Sequence, residues 1–202
     1  MVMQKGYVIG IAGGSGSGKT YLVNALSKIV GTEKCELISQ DDYYIDRSGI
    51  ENFGDINFDH PSSIDFEMVT SHIRELKTGK EVHRPTYDFK THTRTDEYKV
   101  IKGNRIILLD GTLIFTQAEL MKLIDCKIFV NTKEDLRLKR RIERDTVERG
   151  RSTASVLEQW NNQVEPMFQQ YIEDGLNLAD YVFSEQENQD KFIHEIIMNI
   201  RN

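Results

Sequence analysis

The run Gly13-Gly14-Ser15-Gly16-Ser17-Gly18-Lys19-Thr20 has residue types suited to one chemistry, the grip of a polyphosphate. Its four glycines carry no Cβ penalty at positive φ, so successive backbone N–H groups can turn inward on an anion. Lys19 is long enough to reach β and γ phosphates, and the Thr20 hydroxyl is a ligand for Mg²⁺. A flexible linker is the plain alternative, and the flanks argue against it. Val8, Ile9, Ile11 and Ala12 form a short apolar strand before the loop, and Leu22, Val23, Leu26, Ile29 and Val30 recur at helical spacing after it. The loop then opens a helix whose unpaired N–H groups and positive dipole end add to the anion site.

Two further places offer carboxylates. Cys35 to Ile38 reads as a second strand ending in Ser39-Gln40-Asp41-Asp42-Tyr43-Tyr44, and Arg105 to Leu109 as a central buried strand ending in Asp110-Gly111. Ligands of parallel α/β sheets bind beyond the carboxyl ends of the strands, so Asp41, Asp42 and Asp110 belong on the rim of the phosphate loop. Asp110 suits a Mg²⁺-bound water opposite Thr20. A turn or helix-cap aspartate is the competing assignment for each.

The third feature is cationic. From Lys133 a helix carries Arg137, Lys139, Arg140, Arg141 and Arg144, followed by Arg149-Gly150-Arg151, with Glu143, Asp145 and Glu148 between them. Leu136, Leu138 and Ile142 would give this helix its core face, leaving the arginines to solvent or to phosphate. With Gly150 as hinge, the segment fits a lid over a triphosphate.

The positioning elements follow from periodicity. Strands at Ile128–Val130 and Tyr181–Phe183 bring the expected total to about five, in one parallel sheet with helices on both faces. Ile64 to Leu76 is a helix closed by Gly79, and Arg84–Phe89 with His92 and Arg94 reads as an exposed hairpin or lid segment. The stretch Ile45 to Pro61 is an irregular loop packed by its aromatics. Ser152 should cap a long helix that Pro166 bends or breaks, and a last helix begins near Lys191. With 202 residues, one α/β domain is expected, with a lid at about 140–155 and an insertion at about 45–100.

Bulk properties narrow the classes. The formal net charge of -6 and sequence pI near 5.4 argue against a general nucleic-acid binder. No stretch suits a membrane span or signal peptide, and Cys35 and Cys126 form no Cys-x-x-Cys pattern, so a cytoplasmic location is expected. A GTPase switch fits poorly. Asn131-Thr132-Lys133-Glu134-Asp135 misses the guanine-reading spacing by one insertion, and Asp110-Gly111-Thr112-Leu113 lacks the switch glycine.

Taken in order, these motifs resemble the uridine kinases (uridine-cytidine kinases). The resemblance rests on the glycine-rich loop at 13–20, Ser-Gln-Asp-Asp-Tyr-Tyr at 39–44, Asn-Phe-Asp-His-Pro at 57–61, Pro-Thr-Tyr-Asp-Phe-Lys-Thr-His-Thr-Arg at 85–94 and Arg-Asp-Thr-Val-Glu-Arg-Gly-Arg at 144–151. It implies an α/β P-loop NTPase fold and transfer of the γ-phosphoryl of ATP or GTP to the 5′-hydroxyl of uridine or cytidine, with Mg²⁺. A homo-oligomer, in the family often a tetramer, is implied as well.

Carried over by position, the resemblance makes Asp41 the acid that orients and deprotonates the 5′-hydroxyl. Asp59 with Arg141 would hold the ribose hydroxyls, and Tyr87 and His92 would contact the pyrimidine. Arg151 and Gln159 match further nucleoside contacts, and Arg144 and Arg149 match lid positions at the transferring phosphate. The chain departs from the pattern at Asp42, usually a small residue, at Asp110, usually Glu, at Asn131, usually Asp, at Trp160, usually Tyr, and over 184–188 near the adenine site. A phosphate-loop kinase of another small hydroxyl compound, such as a sugar phosphate, and a nucleotide-binding regulator without transfer chemistry remain the alternatives. His60, His72, His83 and His194 are expected to be structural or solvent-exposed.

Overall fold

The computed structural model describes residues 6–49, 56–89, 91–103, 105–184 and 187–200. Five strands, β1 (Tyr7–Ala12), β2 (Cys35–Ser39), β5 (Ile106–Asp110), β6 (Cys126–Asn131) and β7 (Tyr181–Ser184), pair in parallel in the order β2-β5-β1-β6-β7. The other two, β3 (Glu81–Asp88) and β4 (Thr93–Lys102), form the expected hairpin as a separate antiparallel pair. Part of the 45–61 loop, residues 50–55, lies outside the described residues.

Alternation along the strands builds two cores. Val8, Ile107, Leu109 and Phe129 join one apolar cluster, while Ile9, Ile11, Leu108, Ile128 and Val130 join another. The helix α1 (Lys19–Val30) and the last helix α8 (Gln189–Ile200) cover the second cluster through Leu22, Leu26, Ile193 and Ile196. The first is covered by α2 (Phe66–Lys77), through Val69, Ile73 and Leu76, and by the short α3 (Ala118–Met121) through Leu120. Helices thus sit on both faces, and among the described residues none is long and apolar enough to cross a membrane.

The helix α4 (Glu134–Val147) departs from the sequence reading. Its buried positions are Arg137, Arg141 and Asp145, while Leu136, Leu138 and Ile142 are only half-buried. The reason is its neighbour, since this face packs on the phosphate loop, where backbone groups and phosphate-binding donors are needed. Gly16, at φ +76, lets the chain pass so close that a Cβ would run into the Arg137 carbonyl oxygen. At Gly14 the limit is the Arg137 guanidinium, 2.7 Å from where a Cβ would lie.

Pro166 does not break its helix. Ser152 Oγ caps α5 (Thr153–Gln159) by accepting from the Ser155 N–H, as expected, and the backbone then winds on through a π turn at Trp160–Val164, α6 (Glu165–Met167) and a second π turn at Phe168–Ile172. These widened turns on either side absorb the proline ring and its missing donor. They also turn Trp160 inward, only 1 % exposed, with the Arg137 guanidinium 5.2 Å from its ring centre. A last short helix, α7 (Gly175–Leu178), leads into β7.

Two substitutions test this packing. Trp160→Ala should cost about 3–5 kcal/mol in urea denaturation, the usual range for emptying a fully buried tryptophan site. Gly16→Ala should destabilise by at least about 2 kcal/mol, because the left-handed φ and the carbonyl contact both resist a side chain.

Candidate active site

The carboxyl ends of β1, β5 and β2 open onto a cleft of about 1440 Å³, larger than a single small-molecule pocket of roughly 300–1000 Å³ and so able to take two ligands. Register places Asp110 beside Ile11 of β1 and beside Ser39 of β2, at the common rim. Ser15, Gly16, Gly18, Lys19 and Thr20 line the phosphate end. Gly13, Gly14 and Ser17 of the same loop do not line it. Ser17 is buried, and its carbonyl accepts from Thr132 Oγ1 at 2.9 Å and from Arg140 Nη1 at 3.1 Å. Lys19 Nζ donates to the carbonyls of Gly13 and Gly14 at 2.9 and 3.0 Å. Burial lowers the pKa of this ammonium against the pull of Asp110 and Asp41, so both carboxylates share its surroundings.

Asp41 sits on a 3-10 turn, Gln40–Tyr43, directly after β2. Gln40, fully buried, fixes that turn to the segment after β5, its Oε1 accepting from the Leu113 N–H at 2.8 Å. Asp42 points elsewhere, with its Oδ2 3.1 Å from Arg84 Nη1 on β3. Two adjacent carboxylates therefore do not share the cleft, because the hairpin supplies a cation for the second. Burial nonetheless raises the Asp42 pKa, with Arg84 opposing and Asp41 adding.

Burial pushes the Asp110 carboxyl up to about 6, against Lys19. Its Oδ1 is buried without a hydrogen-bond partner among the described residues. An orphaned acidic oxygen in the same cleft as the Thr20 hydroxyl fits Mg²⁺, which takes one or two protein oxygens and completes its shell with water and phosphates. No cluster of three or more His, Cys, Asp or Glu side chains that could cage a metal occurs among the described residues.

At the far end, Asp59 Oδ1 lies 4.0 Å from Arg141 Nη1. Burial raises the Asp59 carboxyl, and Arg141 counters it. Arg141 also donates to Ser15 Oγ at 2.8 Å and to Gln159 Oε1 at 2.9 Å, so one side chain joins the phosphate loop to the acceptor end. Arg151 donates to the same Gln159 oxygen and to Ser155. Tyr87 and His92 are brought into an aromatic cluster that the sequence reading did not assemble. Tyr44 lies 5.3 Å from Tyr87, Phe89 5.3 Å from Tyr87, and His92 stacks on Phe58 at 4.5 Å and 24°. His92 holds a φ of 55, rare for a residue with a side chain. Burial lowers its pKa, which keeps the imidazole neutral at pH 7 and able to donate and accept.

Every other sequence-derived site residue also lines the cleft: Asp41, Asp59, Asp110, Arg144, Arg149, and the acceptor-end set just described. Trp160 does not, being turned into the core beside Gln159. In the 184–188 segment, residues 185 and 186 lie outside the described residues, and Asn188 caps α8 by accepting from the Lys191 N–H at 3.0 Å. Asp145 was not singled out from the sequence. It is fully buried and meets the guanidinium groups of Arg141, Arg144, Arg149 and Arg151 within 2.8 to 3.7 Å. Its spacing from arginines at i−4, i−1, i+4 and i+6 was the available signal, which neither Glu143 nor Glu148 shares.

Comparison with known proteins agrees with this geometry. The family model described as "Phosphoribulokinase / Uridine kinase family" matches residues 8–191. The chain is 40 % identical over 185 residues to the uridine kinase of Clostridium novyi, covering 91 % of this chain and 89 % of that one. It is 41 % identical over 187 residues to the uridine kinase of Bacillus cereus, covering 92 % and 88 %. Among solved structures, D-glycerate 3-kinase from Cryptococcus neoformans superposes with a TM-score of 0.67 over 89 % of this chain and 86 % of that one, at 16 % identity, a likeness of fold. The glycine loop at the sheet's mouth, the acids that share its cleft and the match over nearly the whole chain lead to one placement: the protein belongs to the phosphoribulokinase/uridine kinase family.

Proposed function

We propose that the chain is an ATP-dependent nucleoside kinase that transfers the γ-phosphoryl group to the 5′-hydroxyl of uridine or cytidine, giving UMP or CMP. The observation that carries this reading is the shared cleft. A phosphate-binding loop with its lysine stands at one end, and an aromatic cluster with a neutral imidazole stands at the other, with Asp41 between them. A sugar-phosphate acceptor has no flat ring for Tyr87, Phe58 and His92 to contact. The uridine kinases of the two clostridial and bacillar relatives point the same way.

In this reading Lys19 and the loop N–H groups hold the β and γ phosphates. Asp59 and Arg141 take the ribose hydroxyls, which fixes the 5′-oxygen near Asp41. The Asp41 carboxylate accepts the hydroxyl proton as the oxygen attacks phosphorus, and the P–O bond to ADP breaks as the new P–O bond forms. Arg144 and Arg149 oppose the charge on the transferring group. Thr20 and Asp110 would hold Mg²⁺, which when bound neutralises phosphate charge. The whole chain works as one kinase domain, with a lid at about 140–155 and the nucleoside-site insertion at about 45–100.

The test is a panel of nucleosides and small alcohols incubated with ATP and Mg²⁺ and scored by mass shift of the acceptor. Uridine or cytidine should gain one phosphoryl group, and transfer only to a sugar phosphate would overturn the reading. Asp41→Asn should lower kcat by at least about a hundredfold, within the 10²–10⁴ range of a positioned base, with ATP affinity nearly unchanged. Asp59→Asn and His92→Ala should raise the nucleoside KM by about tenfold or more while leaving ATP affinity within about twofold, as isothermal titration and steady-state rates would show.

A further inference from the structure

The four arginines around Asp145 are not equivalent. Its Oδ2 faces Arg141 at 3.5 Å and Arg151 at 3.7 Å, and these two are tied to each other through Gln159 Oε1. Each has a second tether, Arg141 to Ser15 Oγ and Arg151 to Ser155. Its Oδ1 faces Arg144 at 2.8 Å and Arg149 at 3.6 Å. The Arg144 and Arg149 side chains are 33 % and 40 % accessible, against 7 % for Arg141 and 28 % for Arg151, and all four line the cleft. Arg149 reaches toward the hairpin, its guanidinium 5.6 Å from the Phe89 ring centre.

We propose that Asp145 is a positioning residue for one of two unlike arginine pairs, a fixed pair and an exchangeable pair. Arg141 and Arg151 are the fixed pair, held by Gln159, Ser15 and Ser155, while the Asp145 Oδ2 beside them accepts no hydrogen bond among the described residues. Through Oδ1 Asp145 serves as an internal counter-anion that holds Arg144 and Arg149 converged until the transferring phosphoryl group takes them over. Four like charges drawn to one point repel one another, and a single buried carboxylate leaves the cluster net positive, so it keeps the geometry without satisfying all the cations. A phosphoryl group bringing more negative charge can then draw these two guanidiniums off Oδ1, while the tethered pair stays. The assignment rests on the kinase reading above.

The experiment compares Asp145→Asn and Asp145→Glu in the wild-type background and in an Arg144→Gln/Arg149→Gln background, with folding checked by circular dichroism. In the wild-type background Asn should lower kcat by about thirtyfold or more with the nucleoside KM within about threefold, and Glu should recover to within about tenfold of wild type. In the double-glutamine background the Asn substitution should change kcat by less than about threefold, since the groups it acts through are gone. A kcat unchanged by Asn, or an equal loss in both backgrounds, overturns the proposal and marks Asp145 as a packing residue only. If Asn fails to fold, the Glu loss is compared across the two backgrounds by the same criterion. If wild type phosphorylates neither uridine nor cytidine, the kinase reading fails on its own, and the variant ratios are then read from acceptor-free ATP hydrolysis with the same expected pattern.

Discussion

The site depends on a helix that buries charge. Along α4 the inward stripe is Arg137, Arg141 and Asp145, and each is sealed from water against the phosphate loop or the long helix behind it. A guanidinium cannot be buried alone, because desolvation costs several kcal/mol per ion unless paired groups offset it. Each therefore arrives with partners. Arg137 meets Glu165 at 2.8 Å, the Thr132 carbonyl, and the faces of Trp160 and Phe168. Arg141 meets Ser15, Gln159, Asp59 and Asp145. These pairings, with the stacking on Trp160 and Phe168, tie α4 to the phosphate loop and to the helix behind it.

That same feature marks where sequence reading succeeded and where it failed. The five strands and the glycine loop were legible because buried parallel strands are continuous apolar runs and a phosphate loop admits few residue types. The α4 face was misread because the periodicity argument equates buried with apolar, and here the partner surface is a loop of backbone amides. Leu136, Leu138 and Ile142 were the apolar residues to hand, and they remain half-buried at the margins. Pro166 was expected to bend or break its helix, and it does not break it. A proline forbids one hydrogen-bond register, but two π turns offer another, and nothing local in the sequence announces them.

Asp42 shows a third kind of illegibility. In sequence it is simply a second acid beside Asp41, and its carboxyl does feel Asp41. Its meaning depends on Arg84, forty-two residues away on a hairpin that belongs to a different sheet. Arg84 also donates to the Leu37 carbonyl at 2.9 Å, so the ion pair ties the hairpin to the end of β2 at the place where Asp41 begins. Arg94, on the other hairpin strand, does the same with the Tyr44 carbonyl and Asp65. Tyr87 and His92 lie between these two anchors in sequence, which is why an otherwise separate two-stranded sheet can hold an aromatic wall steady.

An acidic protein can keep such a basic cleft because the relevant charge is local. A net charge of -6 is spread over the surface, and at physiological ionic strength its field is screened within about 8 Å. Inside the cleft, screening is weak, and cations and acids line it together: Lys19, Arg140, Arg141, Arg144, Arg149 and Arg151 with Asp41, Asp59, Asp110, Glu148 and Glu158. Burial is the largest influence on Asp59 and Asp110, raising both and making each receptive to a cation or a hydroxyl. The cations that attract a polyphosphate thus share the cleft with carboxylates ready to accept hydrogen bonds, and phosphoryl transfer to an alcohol needs both.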